Sequence, residues 1–362
     1  MSRHSLRAAR LALSFVAFAA LALLGATAAG AQPFDAWYVL SGPVNGWINV
    51  PDSASLDISG NFTVEAWVSI TNSASGEDCR SIAGKQFTTA WWIGQCTVSG
   101  QPLLRSYLKG SGSLRQGGVI PRGVLTHVAV VFNGTQRLHY INGELAAAFS
   151  ESGPLPTNGQ PLQIGSDVAW VHSPTGLIDE VRLWNVARST DQIRANLNKR
   201  ISAQPGLVAR WTLDATANDA VGGHNGTVQG SGTGFLTFPA GPHCTSSTVA
   251  ALCLQSRFLI TTKWRTNPAP GTPTDGNGSV VVAGPNSGIF WFFSSDNWEV
   301  MTKAINGCGL NSRYWIFSAA TTNVFYRMEV FDSLRFEQKI YFNYPGPPAP
   351  AVTDTDAFAT CP

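Results

Sequence analysis

The stretch VAVVFNGTQRLHYINGELAAAF, residues 128 to 149, constrains the fold more than any other part of the chain. Two Asn-Gly pairs, Asn133-Gly134 and Asn142-Gly143, divide it into three short runs in which apolar residues recur at about every second position. Asn-Gly is a strong signal for a type I′ turn between antiparallel strands. The stretch therefore predicts a three-stranded antiparallel meander.

Similar strand signals recur on both sides of the meander. They are WINVPD and NFTVEAWVSI upstream, and PLQIGSD, GLIDEVRLWN and GLVARWTLD downstream, separated by Gly, Ser, Asn and Pro. Short strands at this spacing favour two stacked antiparallel sheets over a parallel βαβ array. One short helix is predicted at STDQIRANLNK, where Ser189 or Thr190 can cap and Ile193 and Leu197 lie four residues apart.

These segments, in this order, resemble the concanavalin A-like jelly roll of the laminin G and pentraxin type. The resemblance covers residues 34–235 and implies an antiparallel jelly-roll sandwich with the meander at the centre of one sheet. In a concanavalin A-like lectin or glucanase of this kind, the sandwich recognises a ligand.

Residues 244–362 have a different texture and follow a Gly-rich linker, residues 236–243. Alternation in WEVMTKAI and VFYRMEVFD predicts a smaller disulfide-bridged β-domain. It resembles a β-module that is appended to secreted bacterial proteins, and this resemblance implies an architecture without an activity. The run Phe290-Trp291-Phe292-Phe293 is more aromatic surface than one face of a small sheet can bury, so part of it is expected to form a contact surface.

The N-terminus has the pattern of a secretory signal peptide, residues 1–31. Three Arg precede an apolar run and the small-residue site Ala29-Gly30-Ala31, and the run is shorter than the roughly 20 residues of a membrane span. Cleavage before Gln32 predicts a secreted protein, extracellular or periplasmic, with no membrane span in the mature chain. Because the removed segment carries three Arg and no acid, the net charge falls from +2 to −1. This balance argues against a nucleic-acid partner.

Six cysteines in an exported chain predict disulfides. Cys79 and Cys96 fit opposite positions of a hairpin turning at Gln86 to Thr89, a register that also sets residue 81 opposite 94 and 83 opposite 92. The other four allow three connectivities, of which the local one is preferred: Cys244–Cys253 with Cys308–Cys361.

Catalytic patterns are weak in this sequence, which favours a protein that is not an enzyme. The Glu-x-Asp-x-x-Glu strand of jelly-roll glucanases is absent, and the adjacent pair Asp179-Glu180 points to opposite faces of a strand. A Gly-x-Ser-x-Gly elbow is also absent, and His139, His172 and His224 show no partner spacing. His127 is expected to pack in the fold.

Calcium is the more plausible chemistry, because a carboxylate beside a Gly/Ser-rich loop can hold this ion. The resemblance implies a site at Asp179, with backbone oxygens from Ser41 to Asn45. The alternative is that Asp179 only accepts hydrogen bonds from its neighbours.

Tryptophan and tyrosine provide the candidate platforms for a sugar ring, whose flat C–H face stacks on an aromatic side chain. Trp91, Trp170 and Tyr107 are the predicted ligand-binding residues; by the hairpin register Trp92 shares a face with Cys96 and Trp91 takes the other face. For each, the alternative is a side chain that fills a gap beneath a loop. Trp67, Trp184 and Trp211 are expected in the core.

Taken together, the sequence predicts a secreted binding protein that recognises an extracellular glycan. The alternatives are an adhesion or structural protein with cell-surface or matrix protein partners and no sugar site, and a divergent glycosidase. The sequence leaves the oligomeric state open.

Overall fold

The computed structural model describes residues 37–40, 46–71, 78–168, 172–230, 233–236, 243–247, 250–266, 274–346 and 349–362. These residues form 25 strands and a few short helices, so the protein is all-β. Within these ranges no helix is long and apolar enough to span a membrane.

Fifteen strands come from the first part of the chain. They are β1 (Trp37–Leu40), β2 (Gly46–Val50), β3 (Phe62–Ile70), β4 (Cys79–Gly84), β5 (Trp92–Val98), β6 (Gln101–Tyr107), β7 (Arg115–Val119), β8 (Thr126–Phe132), β9 (Gln136–Ile141), β10 (Glu144–Ser150), β11 (Leu162–Ile164), β12 (Gly176–Trp184), β13 (Leu207–Trp211), β14 (Thr227–Gly230) and β15 (Thr233–Leu236). Two 3-10 turns, η1 (Ala54–Leu56) and η2 (Ser111–Ser113), and one helix, α1 (Thr190–Asn196), connect them.

These strands form two antiparallel sheets packed face to face, which we call the sandwich. Sheet A has the order β10-β9-β8-β3-β12-β1-β15, with β13 also paired to β12, and sheet B has the order β14-β2-β11-β4-β5-β6-β7. Alternate residues of β3, beginning at Phe62 and ending at Ile70, join one apolar core with side chains of sheet B. The antiparallel jelly-roll-like sandwich predicted from the sequence is confirmed.

The meander is present, but its position and one of its turns differ from the prediction. Asn142 and Gly143 both have positive φ, 51° and 76°, as a type I′ turn requires. The first turn is instead a longer loop in which Asn133 Oδ1 accepts hydrogen bonds from the backbone N–H groups of Thr135 and Gln136. Strand β10 ends sheet A, so the meander lies at one edge of the sheet rather than at its centre.

The hairpin of β4 and β5 carries the first disulfide, as predicted. Cys79 lies opposite Cys96 and Ser81 opposite Gly94, and the Cys79–Cys96 bond is formed. A bulge after Ser81 then shifts the register, so Gly84 lies opposite Trp92 where residue 83 was expected. The other two disulfides, Cys244–Cys253 and Cys308–Cys361, have the local connectivity that was preferred.

The helix α1 begins where the sequence places it. Ser189 Oγ accepts a hydrogen bond from the backbone of Gln192, whose side chain accepts in return from the Ser189 backbone N–H. This capping box directs Ile193 and Leu197 inward, and both are buried.

The last ten strands form what we call the C-terminal module, residues 243–362. They are β16 (Leu252–Leu254), β17 (Phe258–Arg265), β18 (Asp275–Asn277), β19 (Ser279–Gly284), β20 (Ser287–Trp291), β21 (Trp298–Asn306), β22 (Tyr314–Ala320), β23 (Phe325–Asp332), β24 (Glu337–Asn343) and β25 (Val352–Phe358), with the short helix α2 (Cys308–Asn311). Sheet C has the order β16-β17-β23-β24, with β18 paired to β17, and sheet D has the order β19-β20-β21-β22-β25. The two sheets enclose a second apolar core.

In the described residues no strand of the sandwich pairs with a strand of the C-terminal module. The predicted linker starts at the last residue of β15, and its residues 237–242 lie outside the described ranges. The described residues nevertheless belong to one compact unit.

Part of the outer face of sheet A is covered by the C-terminal module. Trp67 and Leu197 of the sandwich share a small buried apolar cluster with Ile340 of β24. Asn198 also donates a side-chain hydrogen bond to the backbone carbonyl of Ile340. The two parts of the protein are therefore joined by packed side chains as well as by the chain.

Candidate functional site

Trp91 does not form the exposed platform predicted for it. Its side chain is 4% exposed, belongs to the core between sheets A and B, and lies 5.1 Å from the ring of Phe62. Trp91 and Trp92 do face opposite ways, as predicted. Trp92 and Cys96 share the outer face, however, and Trp91 lies on the face that packs in the core. A sugar ring therefore cannot reach Trp91 in this structure.

The other predicted platforms have different outcomes. Tyr107 is half-buried on the outer face of sheet B, where its ring lies 5.8 Å from Trp92 and 5.4 Å from Phe87. Trp92 is itself buried and donates its indole hydrogen bond to Ser81 Oγ at 2.9 Å. Trp170 lies outside the described residues. Tyr107 stays a candidate.

Asp179 is fully buried in β12, opposite Trp67 of β3. In the part of the chain that the structure describes, no three His, Cys, Asp or Glu side chains come together as a metal site would need. Residues 41–45, the predicted source of backbone oxygens, are outside that part. Asp179 alone is a poor fit to calcium, and the ion stays a prediction.

The carboxylate of the adjacent residue, Glu180, accepts hydrogen bonds from two arginines. Arg210 Nη2 donates to Glu180 Oε1 at 2.6 Å, and Arg182 Nη2 donates to Oε2 at 2.9 Å. Burial raises the pKa of Glu180, but Arg182 and Arg210 outweigh it and hold the pKa below its usual value. An ionised, fully paired carboxylate cannot serve as the general acid of a glycosidase.

A cleft of about 830 Å³ lies between the sandwich and the C-terminal module, and we call it the interdomain cleft. On the sandwich side it is lined by the end of β7 and by the turn between β9 and β10, including Val119, Asn142 and Leu145. On the module side it is lined by β17, β18 and the start of β23. A cleft of this size can take a ligand of several rings.

Trp264 of β17 contributes an indole ring to the wall of the cleft. It is partly exposed, and its indole N–H donates to the carbonyl of Asn277 at 3.2 Å. The indole lies against Gly276, where an added Cβ would be only 2.3 Å from Trp264 Cζ2. Phe293 contacts it with ring centroids 4.8 Å apart. Because Gly276 has no Cβ, the indole of Trp264 can lie against it at this wall of the cleft.

Charged groups line the same cleft. Arg265 of β17 pairs with Glu144 of β10 at 2.8 Å and lies 4.4 Å from the ring centroid of Phe325. Lys263 and Asp275 are exposed at the module side. The cleft thus combines an aromatic wall with side chains that can donate to and accept from hydroxyl groups.

Sequence reasoning missed this site because its two walls are more than 100 residues apart in the chain. The segment CLQSRFLITTKWR was identified as a strand, yet nothing in one sequence placed Trp264 beside the Asn142-Gly143 turn. The expectation of a partly exposed aromatic surface in the C-terminal module does hold, since Phe293 and Trp298 are 51% and 54% exposed.

Comparison with known proteins supports the fold. Residues 41–194 match the laminin G model of the concanavalin A-like lectin/glucanases superfamily. No curated protein matches the sequence.

Solved structures with similar folds include three bacterial or animal proteins. A putative carbohydrate binding protein from Bacteroides ovatus is 22% identical with a TM-score of 0.48; the match covers 58% of this chain and 61% of that one, so this chain spans less than two thirds of its length. A heptameric SAP-like pentraxin from Limulus polyphemus is 13% identical, with 57% and 96% covered and a TM-score of 0.41. The CBM40 of Ruminococcus gnavus IT-sialidase, bound to α2,3 sialyllactose, is 14% identical, with 45% and 98% covered and a TM-score of 0.34.

The sequence match and the strand order agree on the same part of the chain. The match at residues 41–194 confirms, for that part of the chain, the resemblance to the concanavalin A-like lectin/glucanases superfamily seen in the sequence.

Proposed function

We propose that the protein is an exported carbohydrate-binding protein and that the interdomain cleft holds the sugar. The observation that carries the proposal is the partly exposed indole of Trp264 in a cleft of about 830 Å³. A sugar ring can lay its C–H face on the indole while its hydroxyls meet Asp275 and Lys263. Proteins similar in fold include one described as carbohydrate binding and one bound to sialyllactose.

Export is part of the proposal and rests on two features. The first 31 residues have the signal-peptide pattern, and the mature chain contains three disulfides, which persist in oxidising compartments. An extracellular glycan is accordingly the expected partner.

The test is glycan-array binding by the mature protein from Gln32 onward, compared with Trp264→Ala and Trp298→Ala. Trp298 is a matched control, because it is an exposed tryptophan of the same module that does not line the cleft. We expect Trp264→Ala to weaken binding about tenfold or more, since loss of an aromatic contact costs on the order of 1.5 kcal/mol. Trp298→Ala is expected to bind like the wild type.

Two results would contradict the proposal in different ways. Binding that survives in folded Trp264→Ala would remove the ligand from the cleft, and Tyr107→Ala would then test the outer face of sheet B. Absence of any glycan signal from folded wild-type protein would reject carbohydrate binding altogether.

Calcium dependence belongs to the same assay. Binding lost in EDTA and restored by calcium would support the ion predicted at Asp179, with Asp179→Asn as the next variant. Binding unchanged in EDTA would reject calcium as a requirement.

A second candidate function is adhesion to a protein, favoured by the outer face of sheet D. Met301 is 45% exposed and lies beside Ile289 on β20 and Ala319 on β22. A shallow cavity of about 390 Å³ next to it is lined by Phe317 and Val352. Met301→Glu should abolish capture of a protein partner and leave glycan binding unchanged if both functions exist.

A further inference from the structure

The loop between β13 and β14 brings three chemically distinctive side chains together at η1. His224 Nε2 lies 2.6 Å from Ser55 Oγ, and His224 Nδ1 lies 2.8 Å from Asp219 Oδ2. Ser55 lies 169 residues from His224 in the chain, whereas Asp219 and His224 are five residues apart. Hydroxyl, imidazole and carboxylate in this order are the arrangement that activates a serine as a nucleophile.

Asp219 has the setting that a carboxylate orienting an imidazole needs. Its side chain is 0% exposed, and its oxygens accept backbone hydrogen bonds from Arg210, Val221, Gly222 and His224. Burial raises the pKa of Asp219, but the backbone donors of Arg210, His224 and Val221 and the imidazole of His224 outweigh it and hold the pKa below its usual value. Asp219 therefore stays ionised and holds the ring of His224 in place.

The loop packs closely around His224. An added Cβ at Gly222 would lie 2.6 Å from His224 Nδ1 and 2.0 Å from the carbonyl oxygen of Val208. The glycine lets the loop close tightly on the imidazole. Trp211, in the core, donates its indole hydrogen bond to the His224 carbonyl at 2.8 Å and anchors the same residue through its backbone.

Ser55 opens onto a cavity. It is exposed, and together with His224 it lines a hollow of about 540 Å³. Ile58, Leu207 and Val208 give the hollow an apolar side, and Asn61 and Asn185 line it as polar residues. The hollow can accept a small acyl group beside the serine.

We propose that Ser55, His224 and Asp219 form a nucleophilic site that hydrolyses carboxylic esters with small acyl groups. Ser55 Oγ attacks the ester carbonyl carbon while His224 Nε2 takes the hydroxyl proton, and the imidazolium then gives this proton to the departing alcohol. Water attacks the resulting acyl-Ser55 with His224 again taking the proton, and the carboxylic acid leaves as Ser55 regains its hydrogen. The net reaction converts one ester and one water into one acid and one alcohol.

The site is separate from the interdomain cleft and has no residue in common with it. The proposal therefore does not depend on carbohydrate binding, and it can fail or succeed while the proposed function stands.

The test uses the mature protein and two probes, a fluorophosphonate that labels activated serines and p-nitrophenyl acetate as a small ester. The variants are Ser55→Ala and His224→Ala, with Ser111→Ala as the control. Ser111 is an exposed serine on the other 3-10 turn and lies outside the hollow. Asp219→Asn is not the primary variant, because loss of its backbone hydrogen bonds would unfold the loop.

We expect mass spectrometry to locate the phosphonate on Ser55 of the wild type, and the ester hydrolysis rate to fall about 100-fold or more in Ser55→Ala and His224→Ala. Ser111→Ala is expected to match the wild type in both readouts. The proposal is overturned if folded wild type takes up no label, if the label is on another residue, or if Ser55→Ala keeps the hydrolysis rate.

Discussion

Arg265 of the C-terminal module and Glu144 of the sandwich form an ion pair of 2.8 Å at the interdomain cleft. Glu144 directly follows the Asn142-Gly143 turn, and the carbonyl of Asn142 accepts a hydrogen bond from Tyr344 of the module at 2.7 Å. One tight turn of the meander is thus held by two independent contacts. This turn, predicted from the sequence, therefore also contacts the C-terminal module.

The ion pair is expected to contribute little to stability. Its side chains are 33% and 27% exposed, so water and salt screen the attraction. A double-mutant cycle with Glu144→Gln and Arg265→Met should give a coupling of at most about 1 kcal/mol in urea unfolding, decreasing with added salt. A salt-independent coupling of several kcal/mol would contradict this view of the pair.

Gly143→Ala should disturb the turn and the module together. Gly143 has a φ of 76°, and an added Cβ would lie 2.5 Å from Tyr344 Oη and 3.0 Å from Arg194 Cγ. Strain and collision should lower the free energy of unfolding by about 2 kcal/mol. Denaturant unfolding measures this loss.

Gly134→Ala is the matched control for that substitution. Its φ is also positive, 92°, but the nearest atom to an added Cβ is Asn61 Oδ1 at 3.4 Å, an ordinary contact. Gly134→Ala should therefore lower the free energy of unfolding through backbone strain alone, without a steric collision. Equal losses at the two glycines would show that the contact with Tyr344 is unimportant.

The sequence predicts the sandwich well because its local signals agree with one another. Alternation in β3, the Asn142-Gly143 turn and the capping box at Ser189 each depend on residues close together in the chain. The hairpin register was also accessible, because one disulfide fixes which residues are opposite. The bulge after Ser81 could not be predicted, because no local sequence signal marks it.

The sites could not be predicted because they depend on contacts between distant segments. Ser55 and His224 are 169 residues apart, and Glu144 and Arg265 are 121 apart. Hydrophobic periodicity indicates which face of a strand is apolar, but it does not identify the segment that covers it. For the same reason the sequence correctly places Trp91 and Trp92 on opposite faces, but it does not show that the face of Trp91 is the core face.

Trp91→Ala should therefore act on stability rather than on recognition. Removal of a buried tryptophan beside Phe62 leaves a cavity in the sandwich core, at a cost of about 3–5 kcal/mol. Chemical denaturation should show this loss, whereas glycan affinity of the fraction that remains folded should equal that of the wild type. Reduced affinity without reduced stability would return Trp91 to the binding site.

Stability should fall on acidification because of a buried carboxylate on the outer face of sheet A. Glu65 is 0% exposed, and its Oε1 accepts hydrogen bonds of 2.9 Å from Trp184 and from Arg188. Burial raises the pKa of Glu65, but His127, whose Nε2 lies 3.4 Å from Glu65 Oε2, and the charges of Arg182 and Arg188 outweigh it and lower the pKa to about 2. Burial also lowers the pKa of His127, so this imidazole stays neutral in the folded protein.

Both groups have a folded pKa below the unfolded one, so both bind protons more readily after unfolding. Their stabilisation is present above the unfolded pKa values of 6.5 for His127 and 4.5 for Glu65, and it is lost as the pH falls. We expect the free energy of unfolding to decrease below about pH 6.5 and more steeply below about pH 4.5, with Glu65 contributing on the order of 3 kcal/mol. Urea unfolding from pH 7.5 to 3 measures the profile. In Glu65→Gln the acid limb should become shallower without disappearing, because Glu180 and Asp219 also have pKa values below their usual ones in the folded protein. Stability at neutral pH should be lower, because Arg188 loses its partner. A wild-type stability that stays constant down to pH 3.5 would show that Glu65 titrates alike in the folded and unfolded chains.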